Sequence, residues 1–328
     1  MVILYVACKY DYGKPAQGYS FEHYNFHSAL EHCGHDLIYF DFGTLINELG
    51  REAMNQRLLE IAKSKKPQFL FCVLTEDELD KGVVREISEN TDTVTLNWFC
   101  DDHWRFDNYS RFWAPCFNWV VTTAKSALPK YKHLEYKNVI KGQWGCNHWL
   151  YRKYDLPFDY DVTFVGQPHG NRREVIQALR DAGINVRVWG NGWESGRLSQ
   201  EEMIRVFNQS RINLNLSNAS VWRRRHRFTI WKNWSRPRDQ IKGRNFEVPG
   251  CGGFLLTGQA ENLNDYYTDG KEIVTFQDTH DLIEKIRYYL AHEDERVAVA
   301  QAGYERTLRE HTYEKRFKEM FARIGVEA

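Results

Sequence analysis

The chain contains 328 residues, and its 44 basic and 44 acidic side chains leave no formal net charge. This length favours two domains that each bury a core, and a composition of 42% hydrophobic and 27% charged residues is that of a globular protein. No apolar run approaches the roughly 18 residues that a membrane-spanning helix needs. The balanced charge disfavours a general nucleic-acid-binding protein.

The amino terminus and the cysteines favour a cytoplasmic location. Residues 1–8 lack a basic region and reach polar residues too soon for a signal peptide. The seven cysteines contain no CxxC pair, which indicates reduced thiols and argues against a zinc ribbon or a disulfide framework. We therefore expect a cytoplasmic protein, with peripheral contact to the inner face of the membrane left open.

Short apolar runs alternate with helical patterns along the whole chain, which is typical of βαβ units around parallel sheets. The first series of predicted strands covers residues 2–8, 69–74, 94–99 and 119–122. The second series covers residues 161–166, 186–189, 212–216, 254–257 and 273–276. We therefore predict an α/β protein with an N-terminal domain over 1–157 and a C-terminal domain over 158–311.

The last segment, residues 312–328, is predicted to be a docking helix. Tyr313, Phe317, Met320 and Phe321 recur at the spacing that places them on one face of a helix. Thr312 precedes them and is a suitable N-cap. We expect this apolar face to pack against the rest of the protein.

A glycine turn follows the first strand of the second series. Gly166 and Gly170 allow close approach to a helix start, where free backbone N–H groups and the helix dipole suit an anion. Arg172 is placed to reach a phosphate. The turn lacks the GxGxxG spacing, however, and is equally ordinary between a strand and a helix, so the motif alone leaves both interpretations open.

A second motif carries two cations and a carboxylate ahead of a glycine cluster and a buried strand. Lys242 and Arg244 suit a diphosphate, and Glu247 suits vicinal hydroxyls such as those of a ribose, because a carboxylate accepts two hydrogen bonds at once. The alternative is a solvated helix that ends in a glycine C-cap. Together with the glycine turn, the motif predicts a nucleotide site.

Acidic residues directly follow the predicted strand 94–99, where open α/β sheets place their ligands. Asp101 or Asp102 could act as a general base on a bound hydroxyl or stabilise positive charge that develops on a substrate. The alternative is an N-cap or a salt bridge to Arg105. His23, which follows the first strand, is a further catalytic candidate, with a structural role as its alternative.

We expect no metal ion to be required. Asp101 and Asp102 are adjacent, so their side chains are expected to point in different directions, and no second carboxylate cluster completes a shell for a hard ion. We expect no other cofactor.

Residues 221–244 form a basic segment with nine cations and one anion, Asp239. Trp222 and the run Arg223, Arg224 and Arg225 suit an anionic partner or surface, such as an anionic glycan, the headgroups of a membrane, or a nucleic acid. The alternative is an insertion that packs over the predicted nucleotide site and whose arginines pair with carboxylates elsewhere. We disfavour nucleic acid among these partners.

From residue 161 onward the chain resembles the glycosyltransferase domain of the CgeB-like (spore-maturation-protein type) family, which is related to the GT-B group. The similar pieces are residues 161–166 with Arg172, then 188–193, 212–217, 242–247, 270–273, 302–306 and 311–313. The amino-terminal half is similar more loosely, at 34–36 and 98–105. In one departure, Pro249 and a glycine cluster stand where related chains carry an alanine-rich helix, so helix 244 onward is expected to end close to Glu247.

The resemblance implies a GT-B fold, with two Rossmann-like domains facing across a cleft and a C-terminal helix that crosses back to the first domain. It places Glu247 on the ribose and Lys242 and Arg244 near the diphosphate. It also places Gly166 and Arg172 at the first glycine turn, and Asn191 and Trp193 near the base or ribose.

The implied activity is metal-independent transfer of a sugar from a UDP- or GDP-type nucleotide-sugar to a hydroxyl of a glycan, lipid-linked or other acceptor. The alternative is a non-catalytic protein that binds a nucleotide-sugar or a nucleic acid through the basic segment.

Overall fold

The computed structural model describes residues 1–217 and 240–326 and divides the chain into two compact units. The first unit combines Met1–Leu150 with Thr312–Ala328, and the second is Tyr151–His311. Residues 151–157, which the sequence assigned to the first domain, lie in the second unit. Each unit contains a parallel sheet flanked by helices, so the predicted α/β architecture is confirmed.

The first unit is built on a six-stranded sheet in the order β2-β1-β3-β4-β5-β6, with every neighbouring pair parallel. Its strands are β1 Val2–Val6, β2 Asp36–Phe40, β3 Phe69–Cys72, β4 Val94–Phe99, β5 Trp119–Thr122 and β6 Val139–Lys141. Apart from the last helix of the chain, its α-helices are α1 Ser28–His32, α2 Phe42–Leu49, α3 Arg51–Lys65, α4 Lys81–Asn90, α5 Asp102–Arg105, α6 Arg111–Trp113 and α7 Leu128–His133. Apolar clusters cover both faces of the sheet, as a parallel sheet requires.

The second unit is built on a five-stranded parallel sheet in the order β11-β10-β9-β7-β8. Its strands are β7 Tyr160–Val165, β8 Val186–Trp189, β9 Ser210–Asn215, β10 Leu255–Gly258 and β11 Val274–Phe276. Its helices are α8 Arg172–Asp181, α9 Gln200–Asn208, α10 Arg244–Gly250, α11 Thr279–Ala291 and α12 Glu293–Glu310. One apolar cluster, drawn from both strands and helices, forms its core.

The last helix, α13 (Tyr313–Ile324), packs in the core of the first unit. The Thr312 side chain caps it by accepting a hydrogen bond from the backbone N–H of Lys315. Tyr313 and Phe317 are buried against Phe26, with ring centroids 5.1 Å and 6.0 Å away. The apolar face that the sequence predicted therefore docks on the first unit.

Candidate functional site

In both sheets, the second strand of the unit lies on one side of the first strand and the third strand lies on the other side. In the second unit, β8 lies on one side of β7 and β9 on the other, so the switch point lies between β7 and β9. In the first unit the corresponding point lies between β1 and β3. Ligands of open α/β sheets bind outside the carboxyl ends of the strands at such a point.

Arg172 spans the switch point of the second unit. Its guanidinium donates to the carbonyl oxygen of Gln167, which follows β7, at 2.8 Å and to that of Leu216, which follows β9, at 2.6 Å. The residue is only 8% exposed. Burial, together with the nearby Arg244 guanidinium, lowers the pKa of Arg172 to about 10, so it stays cationic at neutral pH. Arg172 therefore joins the two loops that border the predicted donor site.

Arg244, Glu247 and Tyr151 form a buried cluster next to this point. The Glu247 side chain has no solvent exposure, and one carboxylate oxygen accepts a hydrogen bond of 2.9 Å from the Tyr151 hydroxyl. The other oxygen pairs with the Arg244 guanidinium, whose Nε lies 3.4 Å from the carbonyl oxygen of Val165 at the end of β7. The cluster ties the start of α10 to the carboxyl edge of the sheet.

The electrostatics of this cluster favour charged Arg244 and neutral Tyr151. Burial alone would lower the pKa of Arg244, but the adjacent Glu247 carboxylate outweighs it and the pKa is raised. Burial and the same carboxylate raise the pKa of Tyr151 well above its usual value. Pro249 lies inside α10, which ends at Gly250, so the proline does not separate Glu247 from the helix.

A buried polar network supports the loop that carries Lys242, and the motifs in the sequence did not identify it. Asn245 accepts hydrogen bonds from the Lys242 backbone N–H at 2.9 Å and from the Asn215 amide at 3.0 Å. Asn215 and Asn245 both donate to the Thr257 hydroxyl at the end of β10, at 3.0 Å and 3.2 Å. Ser217 also contacts Thr257, at 3.3 Å. The signal for this network in the sequence was the presence of polar residues in the otherwise apolar strand 212–216.

The predicted base- or ribose-binding pair Asn191 and Trp193 lies on the loop after β8. Asn191 is exposed, whereas the Trp193 indole N–H donates to the carbonyl oxygen of Gly166 at 2.7 Å. Gly190 has φ +144°, and a Cβ there would lie 2.4 Å from the same oxygen. The loops after β7 and β8 are therefore packed together, with Trp193 as the link.

The adjacent candidates Asp101 and Asp102 occupy different environments in the first unit. Asp102 is 2% exposed and accepts a hydrogen bond of 2.8 Å from the Tyr131 hydroxyl. Burial raises the pKa of Asp102, while hydrogen bonds from Ser110, Thr122 and Tyr131 oppose the rise. Asp101 is partly exposed at the carboxyl end of β4. Of the two, Asp101 is the one that a ligand at this edge can reach.

His23 lies in a π-helical segment, His23–His27, within a stack of rings. Its ring centroid is 4.2 Å from that of Tyr19 and 5.1 Å from that of His27. Burial, with the neighbouring His27 and Lys9, lowers the pKa of His23 to about 4. The imidazole is therefore neutral at physiological pH, and its stacking fits the structural alternative.

The predicted anionic-partner residues of the basic segment lie outside the described residues. They are Trp222, Arg223, Arg224 and Arg225, within 218–239, which the structure does not describe.

Within 1–217 and 240–326, no group of three His, Cys, Asp or Glu side chains is arranged to hold a metal ion. In the same described ranges, no helix is both long enough and apolar enough to span a membrane.

Residues 172–322 match a family model described as glycosyl transferase-like. The spore protein CgeB of Bacillus subtilis (strain 168) is 23% identical over 215 residues, which is 60% of this chain and 64% of that protein. The chain thus spans less than two thirds of the length of this curated relative. The matched family region contains Arg172, Lys242, Arg244 and Glu247.

Solved structures match the chain over its full length. HepE of Anabaena, in complex with UDP-glucose, superposes with a TM-score of 0.65 at 10% identity over 99% of both chains. The chain has the GT-B fold. Sucrose-phosphate synthase of Thermosynechococcus elongatus also has a TM-score of 0.65 at 10% identity, over 99% of this chain and 97% of that one. The predicted resemblance to CgeB-like proteins and GT-B transferases is confirmed, and at these identities the structural matches establish the fold.

Proposed function

We propose that this GT-B protein transfers a sugar from a UDP- or GDP-type nucleotide-sugar to an acceptor hydroxyl without a required metal ion. The observation that carries the proposal is the gathering of Arg172, Lys242, Arg244 and Glu247 at the switch point of the second sheet. The UDP-glucose complex of the structurally similar HepE supports a donor of the UDP type.

Lys242 and Arg244 are proposed to bind the diphosphate. When the bond between the sugar and the diphosphate breaks, negative charge grows on the leaving phosphate oxygen. Cations that are already in place stabilise this charge more in the transition state than in the bound substrate. The Asn245 network fixes the backbone of Lys242, and Glu247 holds the Arg244 guanidinium in place before the donor binds.

Glu247 is proposed to accept hydrogen bonds from the ribose. An ionised carboxylate offers about four acceptor positions, so the Arg244 and Tyr151 bonds leave capacity for a further donor. Because the Glu247 side chain is fully buried, the proposal requires the carboxylate to be uncovered when the donor binds. Glu247 also has a second effect, because its ion pair with Arg244 orients the guanidinium.

A nucleotide that lacks ribose hydroxyls separates the two roles of Glu247. If Glu247 contacts the ribose, Glu247→Gln is expected to weaken the binding of UDP and to leave the binding of 2′,3′-dideoxy-UDP nearly unchanged. Equal losses for both nucleotides would assign Glu247 to positioning Arg244 alone.

Lys242→Ala is expected to weaken UDP binding by about tenfold or more, because a charge-assisted hydrogen bond to phosphate is lost. Turnover is expected to fall further, since the lost charge also stabilised the leaving diphosphate. Isothermal titration calorimetry and release of nucleoside diphosphate measure the two effects. Lys271→Ala, at an exposed lysine of the same unit, is the matched control, and equal behaviour of the two variants would contradict the diphosphate assignment.

Excess EDTA is expected to change the rate of transfer by less than about twofold relative to untreated protein, because Lys242 and Arg244 are proposed to bind the diphosphate in place of a metal ion. The assay compares untreated protein, EDTA-treated protein and treated protein supplied with Mg²⁺ or Mn²⁺. Loss of transfer with EDTA and its recovery with either cation would show that a metal is required.

The acceptor is proposed to be activated in the first unit, at the carboxyl edge of its sheet. Asp101 is the accessible one of the two aspartates at the end of β4. Contact of the basic segment with an anionic glycan or a membrane that holds a lipid-linked acceptor remains a proposal drawn from sequence.

A further inference from the structure

The carboxylate of Glu247 is enclosed by two hydrogen-bond partners that differ in how firmly they are held. The Tyr151 hydroxyl donates to one carboxylate oxygen, Oε1, at 2.9 Å, and the Arg244 guanidinium donates to the other, Oε2. The Glu247 side chain has no solvent exposure in this arrangement. A ribose can therefore reach the carboxylate only after one of the two partners has moved away.

Tyr151 is the fixed partner. It is 1% exposed and is one of the largest fully buried side chains among the described residues. Moving it would leave a cavity in the packed interior and would break its bond to a buried carboxylate, and both changes cost stability. We therefore expect the bond from Tyr151 to Oε1 to persist when a ligand binds.

Arg244 is the partner that can move. Its side chain is 26% exposed, and its hydrogen bonds other than the ion pair with Glu247 are weak. Nη2 lies 2.9 Å from the Met203 sulfur, and Nε lies 3.4 Å from the carbonyl oxygen of Val165. A thioether is a weak acceptor, and 3.4 Å is long for an N–H···O bond. The ion pair is therefore the main polar contact of the guanidinium, and a stronger anion at the same place can take it.

A diphosphate at the carboxyl edge of the second sheet is such an anion. Val165 ends β7, so the Arg244 guanidinium lies at the edge where open α/β sheets bind ligands. A diphosphate carries more negative charge than one carboxylate and presents oxygens that a guanidinium can bind in pairs. The Arg172 guanidinium is close enough to repel Arg244, and an anion at this edge lowers that repulsion. Both effects draw Arg244 from Glu247 towards a diphosphate.

We propose that Arg244 is a latch, which covers Glu247 in the donor-free protein and is drawn off by the diphosphate of the donor. The ribose hydroxyls then bind Oε2, while Tyr151 acts as a positioning residue that holds Oε1. The exchange replaces one ion pair of Arg244 with another, and no covalent bond changes. This inference rests on the proposed function, because it requires a nucleoside diphosphate in the second unit.

The latch couples the binding of the two halves of the nucleotide. A nucleoside that lacks phosphates meets a covered carboxylate, so it is expected to bind weakly, whereas a diphosphate uncovers Glu247. Because such coupling is reciprocal, each fragment raises the affinity for the other by the same factor. A rigid cluster, in contrast, would bind the two fragments independently.

The first test titrates wild type with inorganic pyrophosphate and a 5′-deoxynucleoside and follows binding by ligand-observed NMR. The nucleoside is 5′-deoxyuridine, or 5′-deoxyguanosine if GDP binds more tightly than UDP, and the missing 5′ oxygen leaves room for the pyrophosphate. Saturating pyrophosphate is expected to lower the Kd of the nucleoside at least about fivefold, which is the low end of usual coupling. Sodium chloride of equal ionic strength is the control for the added charge.

The outcomes of this titration separate the latch from the proposed function. If UDP or GDP binds but pyrophosphate lowers the Kd of the nucleoside less than about fivefold, or sodium chloride lowers it equally, the latch is overturned and the donor site remains. If neither nucleotide binds, the proposed function and the latch both fail.

Arg244→Ala removes the latch and is expected to affect the two fragments in opposite directions. The nucleoside alone is expected to bind at least about fivefold more tightly than to wild type, because Glu247 is uncovered, whereas pyrophosphate is expected to bind several-fold more weakly. Nucleoside binding no tighter than in wild type, as a merely structural role of Arg244 would give, would overturn the latch. Arg180→Ala, at an exposed arginine of the same unit, is the matched control. Thermal melting verifies folding, and the wild-type titration decides if the variant does not fold.

Tyr151→Phe tests the positioning role separately. Without the hydroxyl, the uncovered carboxylate is no longer oriented, so the nucleoside is expected to bind about threefold or more weakly in the presence of pyrophosphate. Pyrophosphate alone is expected to bind as it does to wild type. Tyr154→Phe, at a tyrosine of the same unit that is 43% exposed, is the matched control. Unchanged nucleoside binding, or equal losses for both fragments, would overturn the positioning role of Tyr151.

Discussion

Arg244→Ala is expected to lower the free energy of unfolding by about 3 kcal/mol, at the lower end of the range for breaking a buried ion pair. The destabilisation is expected at the low end of that range because the Arg244 side chain is 26% exposed. It is still expected to be large because the Glu247 carboxylate that loses its partner is fully buried. The substitution also removes the contact of the guanidinium with the Phe207 ring, whose centroid is 5.3 Å away. Denaturant titration measures the change.

A second substitution shows whether the loss comes from the stranded carboxylate. Adding Glu247→Gln to Arg244→Ala is expected to recover part of the lost stability, because the amide removes the buried charge and still accepts the bond from Tyr151. Arg180→Ala, at an exposed arginine of the same unit, should change stability by less than about 0.5 kcal/mol. A cost below about 1 kcal/mol for Arg244→Ala would mean that the pair contributes little.

Phe317→Ala is expected to destabilise the first unit by about 3–5 kcal/mol, which is the usual cost of truncating a buried phenylalanine. Phe317 is 1% exposed and its ring lies 5.9 Å from Phe71 on β3. The deletion therefore opens a cavity between α13 and the sheet. The experiment follows the unfolding of the full chain, with Lys318→Ala, on the exposed face of the same helix, as the control. Equal stability of the two variants would contradict the docking of α13 in this core.

Most of the fold could be predicted because parallel sheets leave a strong pattern in the sequence. Strands that are buried on both faces become short apolar runs, and every strand predicted from such a run overlaps an observed strand. Neither β2, Asp36–Phe40, nor β6, Val139–Lys141, is among the predicted strands. The pattern of β6 is weak because it has three residues and only two of them are apolar. The helix α13 was predictable in detail because its N-cap and its apolar face are both local features.

The motif with Lys242, Arg244 and Glu247 was partly predictable because it is also a local feature of the sequence. Arg244 and Glu247 are three residues apart, and residues at this spacing meet on one face of a helix. The burial of Glu247 was not predictable, since its second partner, Tyr151, is 96 residues away in the chain. Arg172 was expected at a phosphate, but its two carbonyl acceptors belong to loops that only the sheet order brings together.

The adjacent residues Asp101 and Asp102 show the limit of the sequence most clearly. Both were conspicuous because they follow a predicted strand, but only the structure shows that Asp102 is enclosed and Asp101 partly exposed. Environment, rather than residue type, decides which carboxylate can accept a proton.

A titration of the protein with UDP, GDP, CDP and dTDP, read by thermal shift and calorimetry, tests the central claim most directly. A ligand that binds only the native state raises its stability. We predict that UDP or GDP binds at one site, raises the melting temperature, and does so much less in Lys242→Ala. Failure of every nucleotide to bind, together with nucleic-acid binding that falls steeply with salt, would contradict a nucleotide-sugar transferase.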